Sequence, residues 1–267
     1  MREGLRNFII GTCAKLDIGV MRLSRQKELE ECGEANRDLG LLMELPESHT
    51  VRLLKLMRNS KSLQRQDLFV LSTMDFKTGG YFVEFGATNG IDLNNTFMLE
   101  KEFGWTGILA EPARRWHDAL RKNRGCQIET DCVWSASNAN LTFHEADSGE
   151  YSTIDAYSRT GRNPNKSGHN YNVRTISLED MLDKYNAPRQ IDYISVDTEG
   201  SEFEILSAFN FGKYEFRVLT VEHNFQPDRA KICELLTRNG YVGEPSTGSG
   251  SATGLKKTTT SLRRGSR

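Results

Sequence analysis

Short apolar runs alternate with helical segments between residues 66 and 243, and this pattern limits the fold more than any other feature. The runs are rich in β-branched and aromatic residues, which is typical of strands buried on both faces of a parallel sheet. The strand candidates are YFVEF (81–85), TGILAEP (106–112), CQIETDCVW (126–134), LTFHEA (141–146), IDYISVD (191–197) and FRVLTVE (216–222). Since helices separate most of them, we predict right-handed crossovers and an α/β fold with a doubly wound, mostly parallel sheet.

Capping residues indicate where some of the intervening helices begin and end. Asn94 or Asn95 is placed to cap a helix that ends at Gly104. Ser177 and Asp180 form a variant of the capping box before LEDMLDKY. These positions agree with the strand boundaries predicted above.

Two flanking segments differ from the alternating domain, which we place at residues 66–244. Residues 1–65 have helical apolar spacing and no catalytic spacing, so we interpret them as a helical N-terminal extension that packs on the main domain or on a partner. Residues 245–267 are low in complexity. We expect them to be disordered, as a linker or as a tail added by cloning.

Charge and cysteine content narrow the class of protein. The whole chain has 35 basic and 36 acidic residues. Residues 245–267 contain five of the basic residues and no acid, so the first 244 residues hold 30 basic and 36 acidic side chains and have a net charge of −6. An acidic body argues against general nucleic-acid binding. The five cysteines form no C-x-x-C pair, which favours reduced thiols over disulfides or a zinc site. No apolar run approaches the roughly 20 residues of a membrane span, and we expect a cytoplasmic protein.

The stretch YFVEFGATNG (81–90) has the form of a strand that leads into a ligand-binding turn. Its glycines are spaced G-x-x-x-G, with Thr88 where a dinucleotide fingerprint has its second glycine. A pyrophosphate needs close approach to the backbone, and the Glu84 carboxylate would repel it. S-adenosylmethionine carries an ammonium and a sulfonium and no phosphate, so Glu84 would attract it directly or through water. We therefore predict this cofactor, with a nicotinamide dinucleotide as the disfavoured alternative.

Acids lie at or near the carboxyl ends of four predicted strands, where doubly wound sheets bind their ligands. They are Glu84, Glu111, Asp197 and Glu222. Glu111 follows Gly90 by 21 residues and is placed to accept hydrogen bonds from ribose hydroxyls. Both cofactor classes use such an acid, so Glu111 does not distinguish them.

The segment FVEFGATNGIDLNNTFMLEKEFGWTGILAEP, followed by TISLEDML and IDYISVDTEGSEFEIL, resembles the FkbM-type methyltransferases. The resemblance covers about residues 62–243. It implies a Rossmann-like fold of the class I methyltransferase type and an S-adenosylmethionine-dependent O-methyltransferase that acts on sugars and natural-product hydroxyls. It also assigns Asp197, Glu199, Gly200 and Glu202 to a D-x-E-G-x-E motif. The cofactor-binding residues expected on this basis are Glu84, Gly86, Ala87, Asn89, Gly90, Asn95, Glu111, Pro112 and Asp197.

The chain departs from the implied fold at its C-terminal end. Such a fold normally closes with two further strands, as an antiparallel hairpin at one edge of the sheet. Here only GYVGE follows the last predicted helix before the low-complexity tail. We therefore expect the closing hairpin to be shortened or truncated.

Methyl transfer to a hydroxyl requires alignment of the acceptor oxygen with the methyl carbon and removal of the hydroxyl proton. The candidate catalytic bases are Asp197, Glu199, Glu222 and His223. Structural roles compete with catalysis, because Asp197 is also placed to cap the following helix and His223 to serve as a structural histidine. A divalent metal held by Asp197, Glu222, His223 and Asn224 is a further alternative, although no metal-ligand spacing in the sequence requires it.

A long polar segment, residues 148–173, is a candidate for acceptor binding. So long a loop inside a compact domain is either functional or a surface excursion, and the sequence leaves both interpretations open. Tyr151 belongs to this segment and would suit a polar acceptor. The predicted substrate-binding residues are Tyr157, Arg159, Arg162, His169 and Tyr171.

Three functions from different classes therefore remain. The first is an O-methyltransferase that uses S-adenosylmethionine on a hydroxyl of a carbohydrate or of a glycosylated or natural-product metabolite. The second is a non-catalytic module that keeps the cofactor fold, against which the complete set of strand-end acids argues. The third is a nicotinamide-dependent oxidoreductase, which the missing middle glycine disfavours. The oligomeric state is not indicated.

Overall fold

The structure is a computed structural model that describes residues 23–158, 167–222, 228–242 and 252–257. Its helices are α1 (Leu23–Glu44), α2 (Thr50–Leu56), α3 (Gln66–Thr73), α4 (Phe97–Phe103), α5 (His117–Asn123), α6 (Leu178–Lys184), α7 (Glu202–Ser207) and α8 (Asp228–Arg238). Single 3₁₀ turns cover Glu47–His49, Arg114–Trp116 and Asp155–Tyr157. The strands are β1 (Tyr81–Phe85), β2 (Thr106–Ala110), β3 (Gln127–Glu129), β4 (Cys132–Trp134), β5 (Asn140–Ala146), β6 (Thr153–Ile154), β7 (Gly168–Ser177), β8 (Gln190–Val196), β9 (Glu215–Glu222), β10 (Tyr241–Val242) and β11 (Ala252–Lys257). No helix within these ranges is long and apolar enough to cross a membrane.

The main sheet has seven strands in the order β10-β11-β9-β8-β1-β2-β3. The five strands from β9 to β3 run parallel, and β11 runs antiparallel to both β9 and β10. The chain proceeds from β1 outward to β2 and β3, and later returns to place β8 on the other side of β1. The predicted doubly wound, mostly parallel, Rossmann-like sheet is confirmed. Its switch point lies between β1 and β8, where such sheets bind ligands.

The central strands are buried on both faces, as their continuous hydrophobicity predicts. Successive side chains of a strand point to opposite faces, so Phe82 and Val83 of β1 enter different apolar clusters. Tyr193 and Ile194 of β8 divide in the same way. The sheet is therefore the middle layer of three, and its carboxyl edge is the part left for ligands.

The N-terminal helices pack on one face of this sheet. Leu53 of α2 and Leu68 of α3 are fully buried in the same cluster as Phe82, and Leu41 and Leu42 of α1 pack against that cluster. Of the two placements expected for the extension, contact with the main domain is therefore the one that the structure shows. The boundary near residue 65 stays a prediction.

The predicted strand 126–134 is in fact two strands that belong to different sheets. The carboxylate of Glu129 accepts hydrogen bonds from the backbone N–H groups of Thr130 (2.8 Å) and Asp131 (2.9 Å). These bonds turn the chain directly after β3, so β4 leaves the main sheet and pairs in parallel with β7. The sequence pattern did not show the break because apolar residues lie on both sides of it.

A second sheet has the order β4-β7-β5-β6, and it corrects the interpretation of 148–173 as one loop. Its strand β7 spans ten residues and pairs antiparallel with β5. Tyr171 and Val173 face an apolar cluster with Phe143, whereas Asn170 and Asn172 are exposed. The prediction of a loop is wrong for these residues. A strand that exposes one face to solvent has polar residues at every second position, so its composition resembles that of a loop.

The C-terminal expectation of a shortened hairpin and a disordered tail is wrong for Ala252–Lys257. These residues form β11, which inserts between β9 and β10, with Leu255 opposite Leu219. Without β11, the edge of β9 would present a row of unpaired N–H and C=O groups. Strand pairing uses backbone N–H and C=O groups, which every residue except proline supplies. The low sequence complexity of the segment therefore gave no sign of the strand. Residues 243–251 and 258–267 lie outside the described chain.

A buried arginine holds together the segment that follows β1. Arg124, directly after α5, has a fully buried side chain and pairs with Glu100 of α4 at 2.7 Å. Its guanidinium also donates to the Gly90 carbonyl (3.2 Å), to Asn94 Oδ1 (2.7 Å) and to Thr96 Oγ1 (2.9 Å). Burial favours the protonated acid, but the Gly125 N–H and the guanidinium lower the pKa of Glu100 to about 2. This network sets the path of the loop between β1 and α4.

We expect Arg124→Met to lower the free energy of unfolding by about 3–5 kcal/mol, because it leaves buried carboxylates without their cation. The matched control is Arg121→Met, an exposed arginine on α5, which should change it by less than about 0.5 kcal/mol. Urea unfolding of the three proteins measures both effects. Equal stabilities for the two variants would contradict the role given to Arg124.

Candidate active site

A cavity opens at the carboxyl ends of β1, β2, β8 and β9, and it encloses about 1240 Å³ of space that is partly open to solvent. It is lined by apolar side chains together with a few acids and amides, which is the usual make-up of a ligand pocket. Its walls come from the loops after the four strands, from residues 149–154 next to the second sheet, and from residues 63–66 before α3.

Gly86 allows two of these loops to meet. It has a φ of +72°, and a Cβ atom built on it would lie 2.5 Å from the backbone oxygen of Asp197. No side chain fits that space, so a glycine is required both for the conformation and for the contact. Thr88 also has a positive φ, of 46°, and both residues line the cavity. Strained backbone of this kind is concentrated at functional sites.

Glu84 lies beneath the cavity instead of on its wall. One carboxylate oxygen accepts a hydrogen bond from the Asn95 N–H (2.7 Å), and the other accepts one from Thr96 Oγ1 (2.5 Å). Burial raises the pKa of Glu84, and the Arg124 guanidinium opposes that shift. The direct contact with a cationic ligand expected from the sequence is thus not what this geometry offers. Glu84 positions the start of α4.

Three further residues of the predicted cofactor loop also support the loop from behind. Asn89 Oδ1 accepts from the N–H groups of Ile91 and Asp92, both at 2.9 Å. Gly90, with a φ of +81°, packs where a Cβ would meet Arg124 at 2.6 Å, and Ala87 is fully buried. The predicted residues that do line the cavity are Gly86, Asn95, Glu111, Pro112, Asp197, Glu199 and Glu222.

Glu111 lies on the cavity wall after β2, with both oxygens held by the backbone. Oε1 accepts from the Ala113 N–H (2.8 Å), and Oε2 accepts from the Thr88 N–H (2.7 Å). Burial raises the pKa of Glu111 to about 7, although these two N–H groups favour the ionised form. The carboxylate is therefore fixed in orientation and keeps further lone pairs for a ligand hydroxyl.

Asp197 and Glu222 form a carboxyl pair at the ends of β8 and β9. Burial, followed by the charges of Glu222 and Glu199, raises the pKa of Asp197 well above its usual range. Glu222 lies within hydrogen-bonding reach of Asp197 and adds to this rise. Among the described residues, Asp197 Oδ1 is shielded from solvent and has no hydrogen-bond partner. An oxygen in that state is an acceptor available to a ligand.

Glu202 has a structural role beside this pair. Its Oε1 accepts from the N–H groups of Thr198 and Gly200, both at 3.0 Å, and thereby closes the loop that carries Glu199. Thr153 Oγ1 donates to the carbonyls of Thr198 and Glu199, each at 3.2 Å. The loop is therefore held both from α7 and from the second sheet.

The three predicted acceptor-binding residues that the structure describes, Tyr157, His169 and Tyr171, do not line the cavity. Tyr171 packs in the second sheet and donates to Glu145 (2.6 Å), and the exposed His169 lies beside it on β7. Tyr157 packs against Gly200, where a Cβ would meet it at 3.1 Å. Three further predicted residues, Arg159, Arg162 and His223, lie outside the described residues. Tyr151 does line the cavity.

Sequence reasoning missed the wall formed by Leu63, Gln64 and Gln66. The resemblance covers these residues, which precede or begin α3, but they lie in none of the motifs that carry it. The described residues also contain no group of three or more metal-ligating side chains positioned for a metal ion. Two of the four ligands considered for such an ion, His223 and Asn224, lie outside the described residues.

Replacement of Gly86 tests the contact between the loops. We expect Gly86→Ala to destabilise the protein by about 1–3 kcal/mol more than Gly104→Ala, because only Gly86 combines a positive φ with a close backbone neighbour. Gly104 has a similar φ of +64° and nothing within 4 Å of an added Cβ, so it reports the conformational strain alone. Urea unfolding measures both variants, and equal losses would refute the steric argument.

Comparison with known proteins supplies the family. The Methyltransferase FkbM domain matches residues 84–242, which is more than half of the chain. No curated protein matches this chain. Similar solved structures include a precorrin-6y C5,15-methyltransferase from Geobacter metallireducens, at 12% identity over 71% of this chain and 84% of that chain, with a TM-score of 0.38. A ribosomal protein L11 methylase from Lactobacillus delbrueckii subsp. bulgaricus is 9% identical over 73% of this chain and 80% of that chain, with a TM-score of 0.37.

These structural scores are too low to carry an argument about function, and the family assignment rests on the sequence match alone. That match begins at Glu84 and ends at Val242, so it includes the loop after β1, Glu111 and the Asp197–Glu222 pair. It does not include the wall before α3. The chain belongs to the FkbM methyltransferase family.

Proposed function

We propose that the protein is an S-adenosylmethionine-dependent O-methyltransferase that acts on a hydroxyl of a carbohydrate or of a glycosylated or natural-product metabolite. The observation that carries this proposal is the Asp197–Glu222 pair, in which Asp197 Oδ1 has no partner among the described residues, in the same cavity as Glu111. Family membership supports methyl transfer. The choice of cofactor, acceptor and base rests on the chemistry of the cavity.

The charge of the wall fits a cationic cofactor. Among the described residues that line the cavity, five are acids and none is a lysine, arginine or histidine. A nicotinamide dinucleotide brings a pyrophosphate, which needs cations or a helix N-terminus at close range. S-adenosylmethionine brings a sulfonium and an ammonium, which the acids stabilise. The ribose hydroxyls would bond to Glu111, and the open backbone at Gly86 allows close approach.

The chain contributes alignment and a proton acceptor to such a reaction. Bound S-adenosylmethionine supplies an electrophilic methyl group on sulfur. Asp197 Oδ1 is placed to take the proton of the acceptor hydroxyl, whose oxygen would then be able to accept the methyl group. Glu222 raises the basicity of Asp197 through its negative charge. A general base of this kind typically contributes ~10²–10⁴-fold to the rate.

The acceptor class is supported by the side of the cavity near the second sheet. Glu150, Tyr151 and Ser152 line it, and these polar and aromatic groups suit a hydroxylated molecule such as a sugar. The alternative of a non-catalytic module is less well supported, because acids with a strongly raised pKa, such as Asp197, are concentrated at catalytic sites.

Calorimetric titration with S-adenosylhomocysteine and, separately, with NAD tests the cofactor assignment. We expect S-adenosylhomocysteine to bind and NAD not to bind, because the acidic wall repels a pyrophosphate. The control is S-adenosylhomocysteine with Glu111→Gln, which should bind more weakly because a carboxylate is replaced by a neutral amide. Binding of NAD alone would overturn the proposal. Binding of the cofactor without turnover on a panel of hydroxylated acceptors would favour the non-catalytic module.

The pH dependence of turnover tests the base. Asp197 accepts a proton only when it is ionised, so we expect kcat to rise with pH through the raised pKa of Asp197. Asp197→Asn should lower kcat by ~10²–10⁴-fold and abolish this rise of kcat with pH, which forms the acidic limb of the pH profile. Glu222→Gln removes a charge that raises the pKa of Asp197, so the acidic limb should move to lower pH.

The control for these variants is Glu215→Gln, at the opposite end of β9 from Glu222, which should keep the wild-type profile. Melting curves show whether each variant is folded at the pH of the assay. An Asp197→Asn protein that is folded and keeps the limb would show that another group takes the proton.

A further inference from the structure

We propose that Gln66, assisted by Gln64, binds the carboxylate of S-adenosylmethionine, so that the turn that leads into α3, which precedes the matched family domain, is part of the cofactor site. This inference rests on the proposed function. It assigns a ligand to residues that the family match, which begins at Glu84, does not include.

The orientation of the Gln66 amide is fixed by its neighbours. Oε1 accepts a hydrogen bond from the backbone N–H of Gln64 (3.1 Å) and another from the hydroxyl of Ser62. Because a backbone N–H can only donate, the atom facing it must be the oxygen. The Nε2 group therefore points away from this turn. It has no partner within the described residues, while Gln66 is buried and lies on the cavity wall.

Other polar groups of the wall are already bonded within the protein. Asn95 Nδ2 donates to Ser195 Oγ at 2.9 Å, and Thr153 Oγ1 donates to backbone carbonyls. The described wall contains five acids and no cationic side chain. A ligand carboxylate in this cavity therefore needs a neutral donor, and the Gln66 amide supplies one.

The position of Gln66 fits the end of the cofactor that carries the carboxylate. Ser62 Oγ lies 2.6 Å from Asn95 Oδ1, and Asn95 in turn reaches Ser195 on β8. This chain of contacts places Gln66 on the β8 side of β1, whereas Glu111 follows β2 on the other side. A ligand whose ribose is bound to Glu111 would cross the loop at Gly86 and extend its amino-acid end toward Gln66.

The extension also holds this wall in place. Arg65 pairs with Asp38 of α1 through two contacts, at 2.8 and 3.2 Å. Arg65 adopts a positive φ of 58°, which turns the chain sharply just before α3. The backbone N–H of Gln66 donates to Ser62 Oγ at 2.9 Å, which closes the turn from the other side. The amide is therefore held in position before a ligand arrives, which lowers the entropic cost of binding.

The test compares two ligands that differ in the amino-acid end. S-adenosylhomocysteine carries the carboxylate, and 5′-methylthioadenosine lacks the whole amino-acid group. For the full chain with Gln66→Glu, we expect the Kd for S-adenosylhomocysteine to rise about 10- to 100-fold, the range for loss of a hydrogen bond to a charged group. The Kd for 5′-methylthioadenosine should change less than about twofold, since that ligand does not reach Gln66.

Gln66→Glu keeps the Oε1 acceptor for Gln64 and Ser62, so the turn should survive. Gln66→Met removes both the donor and the acceptor of the amide without adding charge. This variant should also bind S-adenosylhomocysteine more weakly than the wild-type protein does. The control is Gln127→Glu, an exposed glutamine on β3 that does not line the cavity and should leave both ligands unaffected. Melting curves verify that each variant is folded.

Each remaining outcome overturns the inference in a different way. Equal losses for the two ligands would show that Gln66 supports the site in general instead of binding the carboxylate. Tighter binding of S-adenosylhomocysteine to Gln66→Glu would place the ammonium next to Gln66. Unchanged affinity for both would remove Gln66 from the site. Failure of the wild-type protein to bind S-adenosylhomocysteine would instead refute the proposed function.

Discussion

The contact between Gly86 and the backbone carbonyl of Asp197 is the constraint on which the site depends. It joins the loop after β1 to the loop after β8, and these loops flank the switch point of the sheet. Because the two backbones touch, the oxygen atoms of Asp197 and the ligand-facing backbone of Gly86 share one cavity. The buried guanidinium of Arg124 acts from behind by fixing the path of the loop from Gly90 to Thr96. Together these contacts make the site rigid before any ligand is present.

Charge then decides which ligands this geometry accepts. The buried cation, Arg124, lies behind the loop, while the acids Glu111, Asp197, Glu199 and Glu222 face the cavity. Burial raises the pKa of Glu111 to about 7 and that of Asp197 well above its usual range. Such acids gain most from a ligand that brings positive charge and hydroxyl donors. The same acids disfavour phosphates, which agrees with the absence of a dinucleotide fingerprint in the sequence.

Errors in the sequence-based description follow a common physical cause. Glu84 was expected to attract the ligand directly or through water. Its carboxylate accepts hydrogen bonds from the N-terminus of α4, because a helix N-terminus attracts an acid just as a cationic ligand does. The polar strand β7 and the low-complexity strand β11 were both taken for loops. In each case pairing with a distant strand stabilises the backbone, and local composition contains no record of that partner.

The sequence by itself determined the alternation of strands and helices, the doubly wound class of the fold, and the acids at the strand ends, because these depend on local periodicity and on spacing within single loops. It also indicated a cavity acid at Glu111 and a candidate base at Asp197. Only the tertiary structure decided that Glu84 lies beneath the site, that Asp197 lies beside Glu222, and that Gln66 closes the wall. Those features depend on contacts between segments far apart in the chain, and their energies arise from burial, which no local pattern specifies.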